Sequence, residues 1–379
     1  MNKIILKKIA YLLAFSLVLG FSASLVSCDD KKIDEGAKND PATDAETDAN
    51  TNNETEAVTE AEVVDQGKSI DLYIIAGQSN GAGYTRIKRA DLNSLWSGHA
   101  KGDPHVLYTG RAEYTNNVNT PQVSTGVNAF GNWMNAASGQ GMSSAHMGPE
   151  VGMAKVFLDK YYNEETGKTA GIIKFAHGGT SLLGQTGGEN AANGNWVSPI
   201  YAAIKGYDYS DDSLHGGLYR DLLEQVRKSV KKLEELEYTD INIKGVFWMQ
   251  GESDVSNQDE YKIAFKYFVS DLRRDLGAIV GEDLTDLAVI VGEISRTSGS
   301  ANPSWVAVNE AFIAMQRKLA EDIDHVYTIP SGQYEITTLV NGVDVLDSFQ
   351  NDAWHWNTEQ MFNIGALVAD CIIENVLED

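Results

Sequence analysis

The stretch that constrains this chain most is Leu72-Tyr73-Ile74-Ile75-Ala76, followed without a break by Gly77-Gln78-Ser79-Asn80-Gly81-Ala82-Gly83. The apolar half has the length and character of a strand buried on both faces, as in a parallel sheet covered by helices on either side. In such a sheet, reactive groups sit just past the carboxyl ends of the strands. A serine there, at the start of a helix, has an exposed hydroxyl beside backbone N–H groups that can hold an oxyanion. The same serine could instead do no more than cap the helix. The choice depends on whether the rest of the chain brings a base and further donors to the same edge.

Downstream, apolar runs alternate with amphipathic stretches at a spacing that predicts strand–helix units. Strands are expected at Leu72–Ala76, Gly171–Ala176, Ile243–Trp248, Leu287–Val291 and Val326–Ile329. Helices are expected from Gly148-Pro149-Glu150 to Tyr162, Gly217 to Leu236, Gln258 to Leu276, Ser304 to Ala320, and Thr358 to Val376. The Gly217 helix places Leu218, Leu222, Val226, Val230 and Leu233 on one face. Pro149 and Glu150 are helix-start signals. Repeated strand–helix alternation implies right-handed βαβ units. The predicted fold class is therefore α/β, a three-layer α/β/α sandwich with a central parallel sheet, formed as one domain over residues 67–379. The glycine- and asparagine-rich region from Ala90 to His146 reads as a long loop carrying Trp96, Tyr108, Tyr114, Phe130 and Trp133. Those aromatics could line a sugar-binding rim or simply pack beneath the loop.

The first three strands should end at one edge, which would bring together Ser79, the Gly178-Gly179 turn, and Gln250 with Glu252. A late pair, Asp352 and His355, sits in Asn351-Asp352-Ala353-Trp354-His355-Trp356. A serine hydroxyl is a weak nucleophile without a base in hydrogen-bond reach. Asp352 could accept from one imidazole nitrogen and leave the other to take the serine proton. His355 could equally be a surface histidine between two tryptophans, with Asp352 capping a turn. Of the other histidines, His99, His105, His146, His177, His215 and His325, the rival is His177. It also lies at a strand end but lacks an acid a few residues away. The backbone N–H groups of Ser79 and Gly179, with the Gln250 side-chain amide, would make three oxyanion donors. Gly178-Gly179 could also be an ordinary turn, and Gln250 an ordinary loop residue. Glu252 could orient a donor or hold the Ser79 loop; facing the oxyanion it would be counterproductive. No HExxH, CxxC, P-loop or dinucleotide fingerprint occurs, so neither a metal nor a cofactor is expected.

Five blocks occur in a shared order: Gly77-Gln78-Ser79-Asn80, Gly148-Pro149-Glu150, Gly178-Gly179-Thr180-Ser181, Gln250-Gly251-Glu252-Ser253-Asp254, and Asp352-Ala353-Trp354-His355. This resembles the sialate O-acetylesterase-like group of the SGNH hydrolases, which includes carbohydrate esterase family 6 and its acetylxylan esterases. The resemblance spans about residues 70 to 375. It implies a flavodoxin-like SGNH domain that removes acetyl groups from a glycan such as sialic acid or xylan. It implies Ser79 as nucleophile, His355 as base and Asp352 as its partner. It further implies Ser79, Gly179 and Gln250 around the oxyanion, with Glu252 and Glu150 in support. Where the wider superfamily has asparagine in its third block, this chain has Gln250-Gly251-Glu252, which leaves the matching position open between Gln250 and Glu252. Two other functions stay open: a non-catalytic carbohydrate-binding surface lipoprotein, and a lipid or aryl esterase of the same superfamily.

Charge and the N-terminus bear on where such a protein works. A formal net charge of -24 argues against a nucleic-acid partner and against an electrostatic hold on anionic lipid. Lys3, Lys7 and Lys8 precede an apolar run from Ile9 to Val26 that ends in Ser27-Cys28. This is similar to a bacterial lipoprotein signal, so residues 1–27 are expected to be a signal peptide and Cys28 the lipidated mature N-terminus. An uncleaved membrane anchor is the alternative. Residues 28–66 are rich in acids and poor in aliphatics, as expected of a disordered tether. The expected location is the bacterial cell envelope, lipid-anchored and outward-facing, with an acetylated carbohydrate as the substrate. The remaining cysteine, Cys371, is expected to be a small buried residue of the last helix, in no disulfide. No oligomeric state can be read from these features.

Overall fold

The computed structural model describes residues 67–110, 131–184, 194–210, 213, 215–331, 337–340, 343–346 and 352–378. The expected signal peptide, Cys28, the acidic tether, and the loop aromatics Tyr114 and Phe130 lie outside the described residues. The chain runs β1 (Lys68–Gly77), α1 (Ser79–Ala82), β2 (Thr85–Arg86), α2 (Arg89–Leu95), β3 (Val106–Gly110), β4 (Met134–Asn135) and β5 (His146–Met147). It continues through α3 (Glu150–Lys160), β6 (Ala170–Ala176), α4 (Pro199–Lys205), α5 (Gly217–Glu235), β7 (Tyr238–Met249), α6 (Gln258–Val280) and β8 (Ala288–Gly292). It ends with α7 (Pro303–Asp322), β9 (Val326–Ile329), β10 (Thr337–Val340), β11 (Val343–Leu346) and α8 (Thr358–Ile372).

One seven-stranded sheet, in the order β4-β3-β6-β1-β7-β8-β9, forms the middle layer. All its pairings are parallel except that of β4 with β3. β1 shows why this sheet needs two covers. Its Leu72 and Ile74 join a core with Leu222 and Val226 of α5, Phe265 and Phe268 of α6, and Phe312 of α7. Its Tyr73 and Ile75 point the other way, into a core with Phe157 of α3 and Met361 and Ile364 of α8. Alternate side chains of a strand face opposite sides, so a strand apolar at every position must be covered on both. The three-layer α/β/α architecture follows.

The layer of α3 and α8 is closed by backbone contact. A Cβ on Gly152 would lie 1.9 Å from the Phe362 carbonyl oxygen, and one on Gly365 would lie 2.0 Å from that of Pro149. The two helices therefore touch at these glycines, and α8 begins directly after the His355 segment, capped by Asn357, whose Oδ1 accepts the Gln360 amide at 3.0 Å.

Every expected strand is present, and two are several residues longer than expected; the first of these, β1, starts at Lys68 rather than Leu72. β7 starts at Tyr238 rather than Ile243, because its polar first half still pairs with β1, from Lys68 opposite Tyr238. Contrary to what their composition suggests, the described residues between Ala90 and His146 are not all loop. They supply α2 and two strands of the main sheet, β3 and β4. β3 is short and β4 has two residues at the sheet edge, too little apolar run to stand out. Cys371 is half-buried rather than buried, because it sits at the rim of the core on α8.

Candidate active site

β1, β6, β7 and β8 are mutually parallel and so end at one edge. β1 stops at Gly77, whose φ of +131° turns the chain sharply into α1. A side chain there would also strike the neighbouring strand, since a Cβ would lie 2.2 Å from the Met249 carbonyl oxygen. Glycine is required on both counts. The turn is pinned by the Gln78 amide donating to Met249 O at 2.9 Å and the His177 amide donating to Gly77 O at 2.9 Å. Ser79 then opens α1, 8% exposed at the floor of the edge. Its backbone N–H, in the first turn of a helix, has no intrahelical acceptor.

His355 lies in the segment that leads into α8. Its Nδ1 is 2.9 Å from Asp352 Oδ2, and its backbone amide donates to Asp352 Oδ1 at 2.8 Å. The Trp354 amide donates to the same Oδ1, also at 2.8 Å. Burial alone would push the Asp352 carboxyl up, but these hydrogen bonds from the ring and two amides hold it well below the usual carboxylate range. An ionised Asp352 fixes Nδ1 as the protonated nitrogen and leaves Nε2 as the basic one. The His355 ring stacks on Tyr84, with centroids 5.1 Å apart. Gly178 closes the circuit: a Cβ there would lie 3.0 Å from Tyr84 Oη and 3.5 Å from Ser79 Cβ. Ser79, Gly178, Tyr84 and His355 are thus neighbours in succession. Among the described residues, no hydrogen bond joins Ser79 Oγ to the His355 ring.

The Gly178-Gly179 turn follows β6, and Gly179 adopts φ +68°. His177, the rival base, is buried beside it, with Nδ1 3.3 Å from Gly178 O. His146, on β5 opposite Arg86 of β2, is a second imidazole within range of the His355 charge. Burial, then the charges of Arg86 and His355, push its pKa down.

Gln250 differs from its expected role as an oxyanion donor. It is fully buried, and its side-chain N–H groups donate to Thr180 O at 3.0 Å and Asp254 Oδ2 at 2.7 Å. Asp254 also accepts from Ser181 Oγ at 2.5 Å and from the Leu182 amide at 2.9 Å. A buried carboxylate needs these donors, and burial still leaves the Asp254 pKa raised. Gln250 therefore ties the loop after β6 to the loop after β7. Glu252 points instead toward Asn80, whose Nδ2 donates to its Oε1 at 3.1 Å.

Glu150 bonds neither Ser79 nor His355 among the described residues. It is completely buried in a 2.8 Å ion pair with Lys174 of β6, and its Oε1 accepts the Gly148 amide. Lys174 further donates to Gln140 O at 2.7 Å. The sequence reading missed Lys174, although a lone lysine inside an apolar strand was a signal that a buried counter-ion must exist. Of the aromatics placed on the Ala90–His146 region, Tyr108 is buried in β3, while Trp96 and Trp133 pack against the cores. The described ones support the fold rather than line a rim.

A family model described as carbohydrate esterase, sialic acid-specific acetylesterase, matches residues 69–374. No curated protein matches the chain. Among solved structures, a protein from Arabidopsis thaliana is 17% identical with a TM-score of 0.49, over 81% of this chain and 98% of that one. NanS is 14% identical with a TM-score of 0.48, over 81% of this chain and 98% of its own. A carbohydrate acetylesterase from Xanthomonas citri is 15% identical with a TM-score of 0.48, over 82% of this chain and 57% of its own.

Proposed function

The chain belongs to the sialic acid-specific acetylesterase family of carbohydrate esterases, and from that premise we propose that it removes O-acetyl groups from a glycan through Ser79, His355 and Asp352. The observation that carries the reading is the 2.9 Å contact between His355 Nδ1 and Asp352 Oδ2. It orients an imidazole whose stacking partner, Tyr84, lies against the same glycine as Ser79.

In this mechanism Nε2 of His355 takes the Ser79 proton as Oγ bonds to the acetyl carbonyl carbon. The negative charge gathers on the carbonyl oxygen, where the Ser79 and Gly179 N–H groups receive it. The carbon–oxygen bond to the sugar then breaks, and the sugar oxygen leaves with the proton from His355. Water repeats the sequence on the acetyl-enzyme and releases acetate. The acetylated sugar is sialic acid, xylan or a related polysaccharide, and acetate release from each, compared side by side, identifies it. We also propose that Cys28 carries a lipid anchor, on the strength of the basic and apolar residues that precede it.

Ser79→Ala is the test of the nucleophile. It should abolish p-nitrophenol release from p-nitrophenyl acetate while the unfolding midpoint stays within a few degrees of wild type. Retained turnover in a folded variant removes Ser79 from the mechanism.

A further inference from the structure

Three loops meet at the side chain of Asn80. The residue follows Ser79 in α1 and is 2% exposed. Its Nδ2 donates to Glu252 Oε1 at 3.1 Å and to Trp354 O at 3.1 Å. Its Oδ1 accepts the Trp356 amide at 3.4 Å. Both amide hydrogens and the amide oxygen are thereby engaged. Trp354 and Trp356 flank His355 on either side, so the base hangs between two contacts to the residue after the nucleophile. Thr85 holds the same segment from the other side, with Oγ1 donating to Trp356 O at 2.8 Å.

Glu252 contributes only one oxygen to this arrangement. Its Oε2 is buried with no hydrogen-bond partner. Placing a carboxyl in such a position is costly, and burial pushes its pKa up, against the pull of the Asn80 amide and the His355 charge. When ionised, the carboxylate supplies a site that only accepts. An asparagine amide can sit either way round in a pocket, and its neighbours decide which. With the amide reversed, Oδ1 would face both Glu252 Oε1 and Trp354 O, three acceptors with no donor. The Trp356 amide would meet a second donor.

We propose that Asn80 and Glu252 are positioning residues: Glu252 fixes the orientation of the Asn80 amide, and Asn80 fixes the His355 segment against Ser79. The proposal rests on Ser79 and His355 acting as nucleophile and base. It assigns the glutamate of the Gln250-Gly251-Glu252 block a role through Asn80 rather than at the oxyanion.

The experiment compares full-length wild type, Asn80→Ala, Glu252→Ala and Glu252→Gln. The readouts are kcat and KM for p-nitrophenyl acetate and the rate at which a fluorophosphonate labels Ser79. A small displacement of a catalytic group costs about 100-fold in rate. Asn80→Ala and Glu252→Ala should each lose about that factor in kcat and in labelling rate, with little change in KM. Glu252→Gln keeps an acceptor facing Asn80 and should recover about tenfold or more of that loss. A merely structural role predicts something else: lower unfolding midpoints with unaltered kcat and labelling per folded molecule. That result overturns the proposal, as does a Glu252→Gln variant no better than Glu252→Ala. Should Asn80→Ala fail to fold, the two Glu252 variants decide. If wild-type Ser79 does not react with the fluorophosphonate, the esterase mechanism itself fails. If wild type reacts and the variants react as fast, only the clamp fails.

Discussion

Replacing Lys174 by methionine should unfold this domain more readily than any change at its surface. The ammonium is 2% exposed and lies 2.8 Å from a Glu150 carboxylate that is 0% exposed. It also donates to Gln140 O at 2.7 Å. Methionine fills much of the same volume but donates nothing. Glu150 would keep one hydrogen bond, from the Gly148 amide at 2.8 Å. Breaking a buried pair by removing one partner typically costs about 3–5 kcal/mol. In a domain of this size each kcal/mol lowers the midpoint by roughly 2–4 °C, so the expected drop is roughly 6–20 °C. The assays are thermal unfolding, for the midpoint, and urea unfolding, for the free energy, of wild type, Lys174→Met, Glu150→Gln and the double variant. Neutralising both partners leaves no stranded charge, so the double variant should be more stable than Lys174→Met. A single-variant cost below about 1 kcal/mol, or a double variant no better than the single, refutes this account of the pair.

Asp352→Asn removes the carboxylate that orients the base, and kcat/KM should fall by roughly 10²- to 10⁴-fold. The same variant carries a pH signature. The folded Asp352 carboxyl gives up its proton more readily than an aspartate of the unfolded chain. Its contribution to stability is therefore complete above about pH 4 and fades as the pH falls through its lower folded value. Unfolding midpoints of wild type and Asp352→Asn should differ at neutral pH and converge in acid; a gap that widens in acid contradicts this. For the proposed lipid anchor, expression with radiolabelled palmitate should label the wild-type chain and not Cys28→Ser; equal labelling would place any lipid elsewhere.

How much was legible beforehand depended on distance along the chain. Strand–helix alternation is written in the local period of apolar residues, so five of the seven strands of the sheet, β9 among them, could be read directly. The pairing of Asp352 with His355 spans three positions and needs only a turn. The order of the five blocks pointed to the family without any coordinates. β4 was hidden because two residues at the sheet edge leave no periodic trace, and β3 because its five residues, Val106–Gly110, lie in a stretch whose glycines and asparagines read as loop. The partners of the buried polar groups were hidden for a different reason. Gln250 could have faced an oxyanion or a carboxylate, and its choice of Asp254 depends on which groups lose water together when the loops after β6 and β7 close. Asn80 meets Glu252 and Trp354 across 172 and 274 positions, and Lys174 meets Glu150 between two layers. Local pattern alone determined the layers, the strand ends and the candidate acid–base pair. Only the folded chain decided which polar groups satisfy each other, because desolvation makes that choice and nothing is desolvated until distant segments pack.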